Sequence, residues 1–361
     1  MLDLDIGINK NALVTSYPLN TGVGTYAYEL FRLGLFKDFL FFKTVFHGFE
    51  DGFSDIISPI SRASGIIKKG SSLFLKYNVY NRKLENYSNI HFADPDFFHL
   101  AKYNNSIGTI HDVFPLQEET KKDYSLAIRK YYRYELEQAD RLSAVVTVSN
   151  VSRRLIQEFY PNIDPVVIKL WTNELFIYRD RNKVRKSLDL PLDKFILLSV
   201  GGDFPRKNVD LLPKIMNKMD NSFLLIRIGD SHRIVNKFKN KNFLCIPKVN
   251  NNIYHLFFNA ANVVLMTSFV EGFGIPVIQA INSKVPLLLT NIQIFKEIVG
   301  NYKYYLNPYD VDDWINKILE IREKSSDSLF STQLYSNISD YYRRERAMGE
   351  YVKLYKQIGF I

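Results

Sequence analysis

Short apolar runs bounded by turn residues recur along the chain: Leu4–Ile8, Ile107–Ile110, Val145–Val148, Phe195–Val200, Phe223–Ile228, Val263–Met266 and Val285–Leu289. They are continuous rather than alternating, which marks strands buried on both faces. Between them the apolar positions switch to helical spacing, as over Tyr26–Leu35 and Lys183–Ser187. Strands and helices alternating in this way predict parallel sheets covered by helices, an α/β fold. Near the end, Tyr342, Ala347, Tyr351, Leu354 and Ile358 fall at helical spacing, so Asp340–Ile361 predicts one long amphipathic helix. The polar, charged stretch 172–192, with Pro191 before a strong strand, is the best boundary. It divides the chain into 1–175 and 176–339, each large enough for its own core.

Composition narrows the class. At 361 residues the chain has room for two domains, and 46% hydrophobic with 24% charged residues excludes disorder as the main state. One cysteine, Cys245, allows no internal disulfide, and with six scattered histidines it supplies no Cys/His zinc site. The start, MLDLDIGINK, has acids where a signal peptide has bases, and no apolar stretch approaches 18 residues. A cytoplasmic protein is expected. Charge is uneven. Residues 1–180 carry 21 Lys+Arg and 21 Asp+Glu, so the remaining 47 − 21 = 26 bases and 38 − 21 = 17 acids hold the whole net charge of +9. A basic second half points to an anionic ligand, whether nucleotide, nucleic acid or membrane surface.

The densest chemistry lies at Ser268–Ala280, which reads Ser-Phe-Val-Glu-Gly-Phe-Gly-Ile-Pro-Val-Ile-Gln-Ala. A strand leads into a loop with two glycines, and Pro276 suits a first helical position. Gly272 and Gly274 let the backbone approach a ligand, and the N–H groups of a helix start suit a diphosphate. Glu271 lies in the loop and Gln279 about one turn into the helix. Both are placed to face one ligand at the carboxyl edge of a sheet. A second segment, Ser199–Asn208, runs through Gly201 and Gly202 to the adjacent cations Arg206 and Lys207. Arg grips phosphate bidentately and Lys acts as a point charge, while a solvated surface pair is the bland alternative. Asn208 or Asp210 is placed to start the next helix. His111, at the end of the Ile107–Ile110 strand and followed by Asp112, is either a packing residue or a ligand contact. Ser149, after a strand, and Ser152 read equally as capping residues or ligand contacts. Thr21-Gly22-Val23-Gly24 precedes a helix, and its Gly-x-Gly alone is a weak signal.

In their order along nearly the whole chain, these segments resemble family 4 of the retaining glycosyltransferases. The likeness is carried by Glu271-Gly-Phe-Gly-Ile-Pro276, Pro205-Arg-Lys-Asn208, His111-Asp112 and Val148-Ser149-x-x-Ser152, with weaker echoes at Leu289–Asn291, Glu297–Gly300 and Asn307–Asp310. It implies the GT-B architecture, two Rossmann-like domains facing each other across a cleft. Residues 1–175 would bind the acceptor, 176–339 the nucleotide-sugar, and the helix over 340–361 would pack back on the first domain. The resemblance places Arg206 and Lys207 on the donor diphosphate, Glu271 and His111 at the sugar, and Gln279 at the ribose. Gly22, Gly24, Gly201, Gly202, Gly272 and Phe273 would complete the donor site, with Gly274 and Ile275 offering backbone amides to phosphate. Asp112 and Ser149 would serve the acceptor or the local turn. One departure stands out: the family's second glutamate, eight positions after the first, is here Gln279. Exchanging a charged for a neutral hydrogen bond lowers donor affinity by roughly tenfold without removing the chemistry.

The function expected is transfer of a hexose, with retention, from an NDP-sugar (GDP- or UDP-sugar first) to a hydroxyl of a glycan or lipid-linked acceptor. No cofactor and no metal are expected, the NDP-sugar being a co-substrate. The rival readings are a non-catalytic nucleotide-sugar-binding or scaffold protein that lost activity at Gln279, and an NDP-sugar epimerase. No nucleic-acid recognition motif accompanies the charge. Asp94-Pro95-Asp96 matches a metal-binding Asp-x-Asp but reads as a turn in its context. Arg62–Lys83 carries six bases and no acid among apolar residues, a candidate for peripheral contact with an anionic membrane at its inner face.

Overall fold

The computed structural model describes residues 11–18, 21–42, 80–102, 105–239, 242–324 and 332–361. Leu4–Ile8 and most of Arg62–Lys83 lie outside the described residues. The chain divides into two compact units. The first holds Met1–Val148, Ser152–Ile168 and Met348–Ile361; the second holds Ser149–Val151 and Lys169–Ala347.

In the first unit, β1 (Asn11–Thr15), β2 (Asp38–Phe41), β3 (Asn89–Phe92), β4 (Asn105–Ile110), β5 (Ala144–Thr147) and β6 (Val166–Val167) form one parallel sheet in the order β2-β1-β3-β4-β5-β6. The helices α1 (Gly22–Phe31), α2 (Leu126–Leu136) and α3 (Asn150–Phe159) accompany it. Val14, Phe92 and Ile110 from the strands share a core with Leu136 and Ile156 from α2 and α3. The strand leading to the Gly-x-Gly segment is thus Asn11–Thr15. Its five residues are all buried, including the polar Asn11, whose Nδ2 donates to the Leu35 carbonyl (3.2 Å) and whose Oδ1 accepts from Asn89 (2.8 Å). A satisfied buried amide reads in sequence as a break in the apolar run.

The second unit contains α4 (Arg181–Ser187), α5 (Leu211–Met216), α6 (Asn251–Ala260), α7 (Ile275–Asn282), α8 (Gln293–Val299), α9 (Val311–Glu323) and α10 (Thr332–Tyr341). Its strands are β7 (Phe195–Val200), β8 (Phe223–Ile228), β9 (Phe243–Ile246), β10 (Val263–Met266), β11 (Leu287–Thr290) and β12 (Tyr305–Leu306). They pair in parallel in the order β12-β11-β10-β7-β8-β9. Leu197, Leu225, Leu265 and Leu288 pack with Leu212, Ile215 and the fully buried Trp314. Among the described residues every strand of both sheets pairs in parallel, as the continuous apolar runs predict.

Several boundaries differ from expectation. Helix α1 starts at Gly22, not Tyr26, because the Thr21 side chain accepts from Gly24 N–H and caps it, drawing Gly22-Val23-Gly24 into the first turn. Strand β11 begins after Pro286, which has no N–H for the ladder. The helix expected over Asp340–Ile361 is two, α10 and α11 (Arg344–Gln357), separated at Tyr342-Arg343. Helix α11 then ends in a Schellman arrangement: Gly359 (φ +67°) donates to the Lys356 carbonyl, Phe360 to that of Tyr355, and the two rings stack at 4.6 Å.

Candidate active site

The second sheet reverses its order at β7. The next strand in the chain, β8, lies on one side and β10 on the other, so the loops leaving β7 and β10 diverge at the carboxyl edge. Those loops carry Arg206-Lys207 and Ser268–Gly274. One backbone and one side-chain hydrogen bond stitch them together, with Phe269 N donating to Arg206 O and Thr267 Oγ1 to Lys207 O, both at 2.8 Å. Arg206 and Lys207 sit in a 3-10 turn, Pro205–Lys207, closed by Asn208 in a left-handed conformation (φ +48°). Asp210 flanks α5 without capping it; its carboxylate instead pairs with Arg233 (2.8 Å) and Lys237.

The result is a compact charge cluster. Lys207 Nζ donates to Glu271 Oε1 at 2.6 Å, Ser268 Oγ donates to the same oxygen at 2.6 Å, and Arg206 Nη1 lies 3.9 Å from Glu271 Oε2. Burial pushes the Glu271 carboxyl up, but Lys207 and Arg206 outweigh it and hold the group below its ordinary value. Burial lowers the Lys207 ammonium; Glu271 pulls it back up, and Arg206 lowers it again. One carboxylate thus faces two cations where the strand order reverses. Two adjacent cations suit a doubly charged anion.

Beyond Glu271 the chain turns into α7. Gly274 holds φ +102°, and a Cβ there would meet the Phe295 ring at 2.9 Å, so glycine is required by backbone and space alike. Ile275 is the first helical residue and Pro276 the second, one place later than expected. The Phe273 ring is buried edge-on against Tyr342 (5.7 Å). Ser149 Oγ donates to the Gly272 carbonyl at 3.0 Å. Gln279 is not hydrogen-bonded to the charge cluster; its Oε1 accepts from the Tyr254 hydroxyl at 3.3 Å. Gly201 and Gly202 turn their carbonyls onto Arg227 Nη2, at 2.6 and 3.0 Å. Neither Tyr254 nor Arg227 stood out in the sequence. A lone arginine inside the apolar run Phe223–Ile228 was the available signal.

In the first unit, the strand order reverses between β1 and β3. There Asp94 and Asp96 are buried and engage the end of β1: Thr15 Oγ1 (2.7 Å) and Ser16 N (3.0 Å) donate to Asp94, and Ser16 Oγ donates to Asp96 (2.6 Å). Burial raises both carboxyls, and for Asp94 the Asp96 charge raises it further. His111, at the end of β4, places Nε2 2.9 Å from the Ala93 carbonyl and sets its ring edge-on to Tyr26 at 4.7 Å. A carbonyl only accepts, so Nε2 carries the proton. Burial lowers the ring pKa to about 4, with the Ala93 bond pulling the other way. At neutral pH, Nδ1 is therefore a lone-pair acceptor. Asp112 accepts from Phe114 N (3.2 Å) in a local turn, and Ser152 Oγ donates to the His111 carbonyl (2.9 Å). Gly22 and Gly24 belong to this unit, with His111 and Asp112; Arg206, Lys207, Glu271 and Gln279 belong to the other. Among the described residues, no group of three or more His, Cys, Asp or Glu side chains is placed to hold a metal, and no helix is long and apolar enough to cross a membrane.

Comparison with known proteins gives a consistent picture. Residues 180–343 match the family described as Glycosyl transferases group 1. The O-antigen chain mannosyltransferase RfbU of Salmonella typhimurium is 25% identical over 253 residues, spanning 68% of each chain. The O-antigen chain mannosyltransferase B of Escherichia coli is 26% identical over 351 residues, spanning 86% of this chain and 89% of that protein. Among solved structures, sucrose-phosphate synthase from Thermosynechococcus elongatus superposes with a TM-score of 0.74 at 16% identity, covering 97% of this chain and 99% of that one. HepE from Anabaena, solved with UDP and glucose, gives 0.75 at 13% identity, covering 96% and 100%. These superpositions concern the fold: it is α/β, with two Rossmann-like domains of the GT-B type.

Proposed function

We propose that this glycosyltransferase, whose residues 180–343 match the group 1 family, moves a hexose from an NDP-sugar to a hydroxyl of a glycan or lipid-linked acceptor, with retention at the anomeric carbon. The observation that carries the reading is the Arg206–Lys207–Glu271 cluster at the reversal point of the second sheet. The two curated relatives named above are O-antigen chain mannosyltransferases, which supports a glycan acceptor and makes GDP-mannose the first donor to test, with UDP-glucose beside it.

The chemistry follows from the charges. Negative charge grows on the departing diphosphate as the glycosidic bond breaks, so Arg206 and Lys207 stabilise the transition state more than the ground state. With two cations already at the leaving group, the reaction needs no metal. Glu271, held ionised by those cations, lies against the sugar and also fixes the Lys207 ammonium (2.6 Å). Neutral His111 accepts a sugar hydroxyl through Nδ1. The acceptor attacks from the face the diphosphate leaves, and a phosphate oxygen takes its proton, which balances the step without a protein base. Gln279 contacts the ribose.

The test begins with thermal shifts against GDP, UDP, ADP and dTDP and their sugars. A ligand at a hundred times its Kd adds about 2.7 kcal/mol of stability. Turnover with the preferred donor then gives the product anomer by NMR, with and without chelator. Lys207→Ala is expected to lose about ten- to a hundredfold in kcat/KM, and Gln279→Glu to keep or improve donor use. An inverted product would refute retention, and loss of activity with chelator would refute metal independence. Donor binding without turnover or isomerisation would favour the non-catalytic reading; isomerised donor without transfer would favour an epimerase.

A further inference from the structure

The environment of Gln279 is built by residues no motif includes. Arg227 leaves β8 almost wholly buried, at 1% exposure. Its hydrogen-bond acceptors are neutral: the carbonyls of Gly201 and Gly202 and, at 3.3 Å, Ser199 Oγ. Its Nε has no partner. Among the described residues no carboxylate hydrogen-bonds this guanidinium; Asp203 and Asp230 act on it through their charges, and its own field reaches the groups around it. Tyr254, on α6, lies in that field, which works against the upward push of burial on the phenol. The Tyr254 hydroxyl donates to Gln279 Oε1, oxygen to oxygen 3.3 Å. A carboxamide engaged through its oxygen presents its NH2 elsewhere. Gln279 is 6% exposed, and its Nε2 makes no hydrogen bond among the described residues.

We infer that Tyr254 is a positioning residue that sets the Gln279 amide so the nucleoside subsite offers N–H donors to a ribose hydroxyl oxygen. A carboxylate at the same place would offer acceptors only. The inference rests on the donor-site reading above, in assigning Gln279 to the ribose. It adds a residue and a polarity: the phenol selects which end of the amide the ligand meets.

The test is calorimetric binding of GDP and UDP, and of their 2′-deoxy and 3′-deoxy counterparts, to the full chain, Tyr254→Phe, Gln279→Glu and the double variant. Tyr254→Phe keeps the ring packing against Phe176 (5.9 Å) and Phe258 (5.5 Å), and melting curves check that each variant folds. Losing one neutral hydrogen bond corresponds to roughly a three- to tenfold change. Tyr254→Phe is expected to weaken the ribonucleotide by that factor while leaving the analogue that lacks the contacted hydroxyl within about twofold. In the Gln279→Glu background, Tyr254→Phe is expected to have little effect, since a carboxylate is the same either way round. A merely structural role would move ribo- and deoxynucleotides together, and that result overturns the inference. Wild-type protein binding ribo- and both deoxynucleotides equally also overturns it, while leaving the donor site standing. Wild-type protein binding no nucleoside diphosphate overturns the donor-site reading and this inference with it.

Discussion

Glu271 stands against two cations, and its removal leaves Arg206 and Lys207 to repel each other in a largely buried setting. Breaking such a pair costs about 3 kcal/mol, because the remaining charge has lost its compensation. Glu271→Gln is therefore expected to lower the melting temperature of the second unit, and added diphosphate to recover more stability in the variant than in wild type. A variant that melts with wild type would show that the pair adds nothing to the fold. Asp94 and Asp96 make a prediction of opposite character. Burial raises both carboxyls, so the folded state holds their protons more tightly than the unfolded chain, whose aspartates titrate near 3.9. Stability from this source is full below about pH 4 and lost as pH rises through the raised folded values of the pair. Urea midpoints at pH 5 and pH 7.5 are expected to fall further with pH in wild type than in Asp94→Asn. Equal slopes would remove the pair as a source of pH dependence.

At the scale of elements, the two glycines of Gly22-Val23-Gly24 part company. A Cβ on Gly24 would land on the Pro18 carbonyl, so that glycine is explained by the close return of the chain onto the start of α1. A Cβ on Gly22 would meet nothing within 4 Å. Alanine in a helical turn is favoured over glycine by about 0.5–1 kcal/mol. Gly22→Ala is thus expected to keep or raise the melting temperature, and any loss of transferase activity would mark the space over that turn as ligand space. Gly24→Ala is expected to destabilise the first unit outright. Full activity in a well-folded Gly22→Ala would remove Gly22 from the donor site. The Thr21 cap that draws both glycines into the helix is a local signal, readable from Thr-x-x-Gly only once the helix start is known.

At the scale of the whole molecule, the last fourteen residues, Met348–Ile361, complete the first unit. The Tyr351 hydroxyl bonds that of Tyr26 at 2.7 Å, and Tyr355 bonds His91 Nδ1 at 2.6 Å. Both hydrogen bonds converge on Thr109, which touches Tyr26 (2.9 Å) and His91 Nε2 (2.8 Å). Deleting these residues strips buried aromatics worth about 1.5–3 kcal/mol each and leaves His91 without a partner at one nitrogen. Hydrogen exchange is expected to quicken across β1, β3 and β4 while the second unit is spared; unchanged protection would contradict the role of the segment. An amphipathic helix carrying Tyr351 is legible in the chain, but its hydroxyl partner is not, since Tyr26 and Tyr351 are 325 residues apart. What the sequence determined by itself was local. Strands buried on both faces need contiguous apolar residues, so β7, β8 and β10 stood out, and loops with glycines, a proline and adjacent cations marked the ends of β7 and β10. Only the tertiary structure decided which partner each charge met. Lys207 reaches Glu271 across 64 residues because the sheet order sets β7 beside β10, and Tyr254 reaches Gln279 because α6 and α7 are neighbours. Periodicity records which residues are buried; strand order, fixed by the packing of the whole sheet, selects which buried residues face one another.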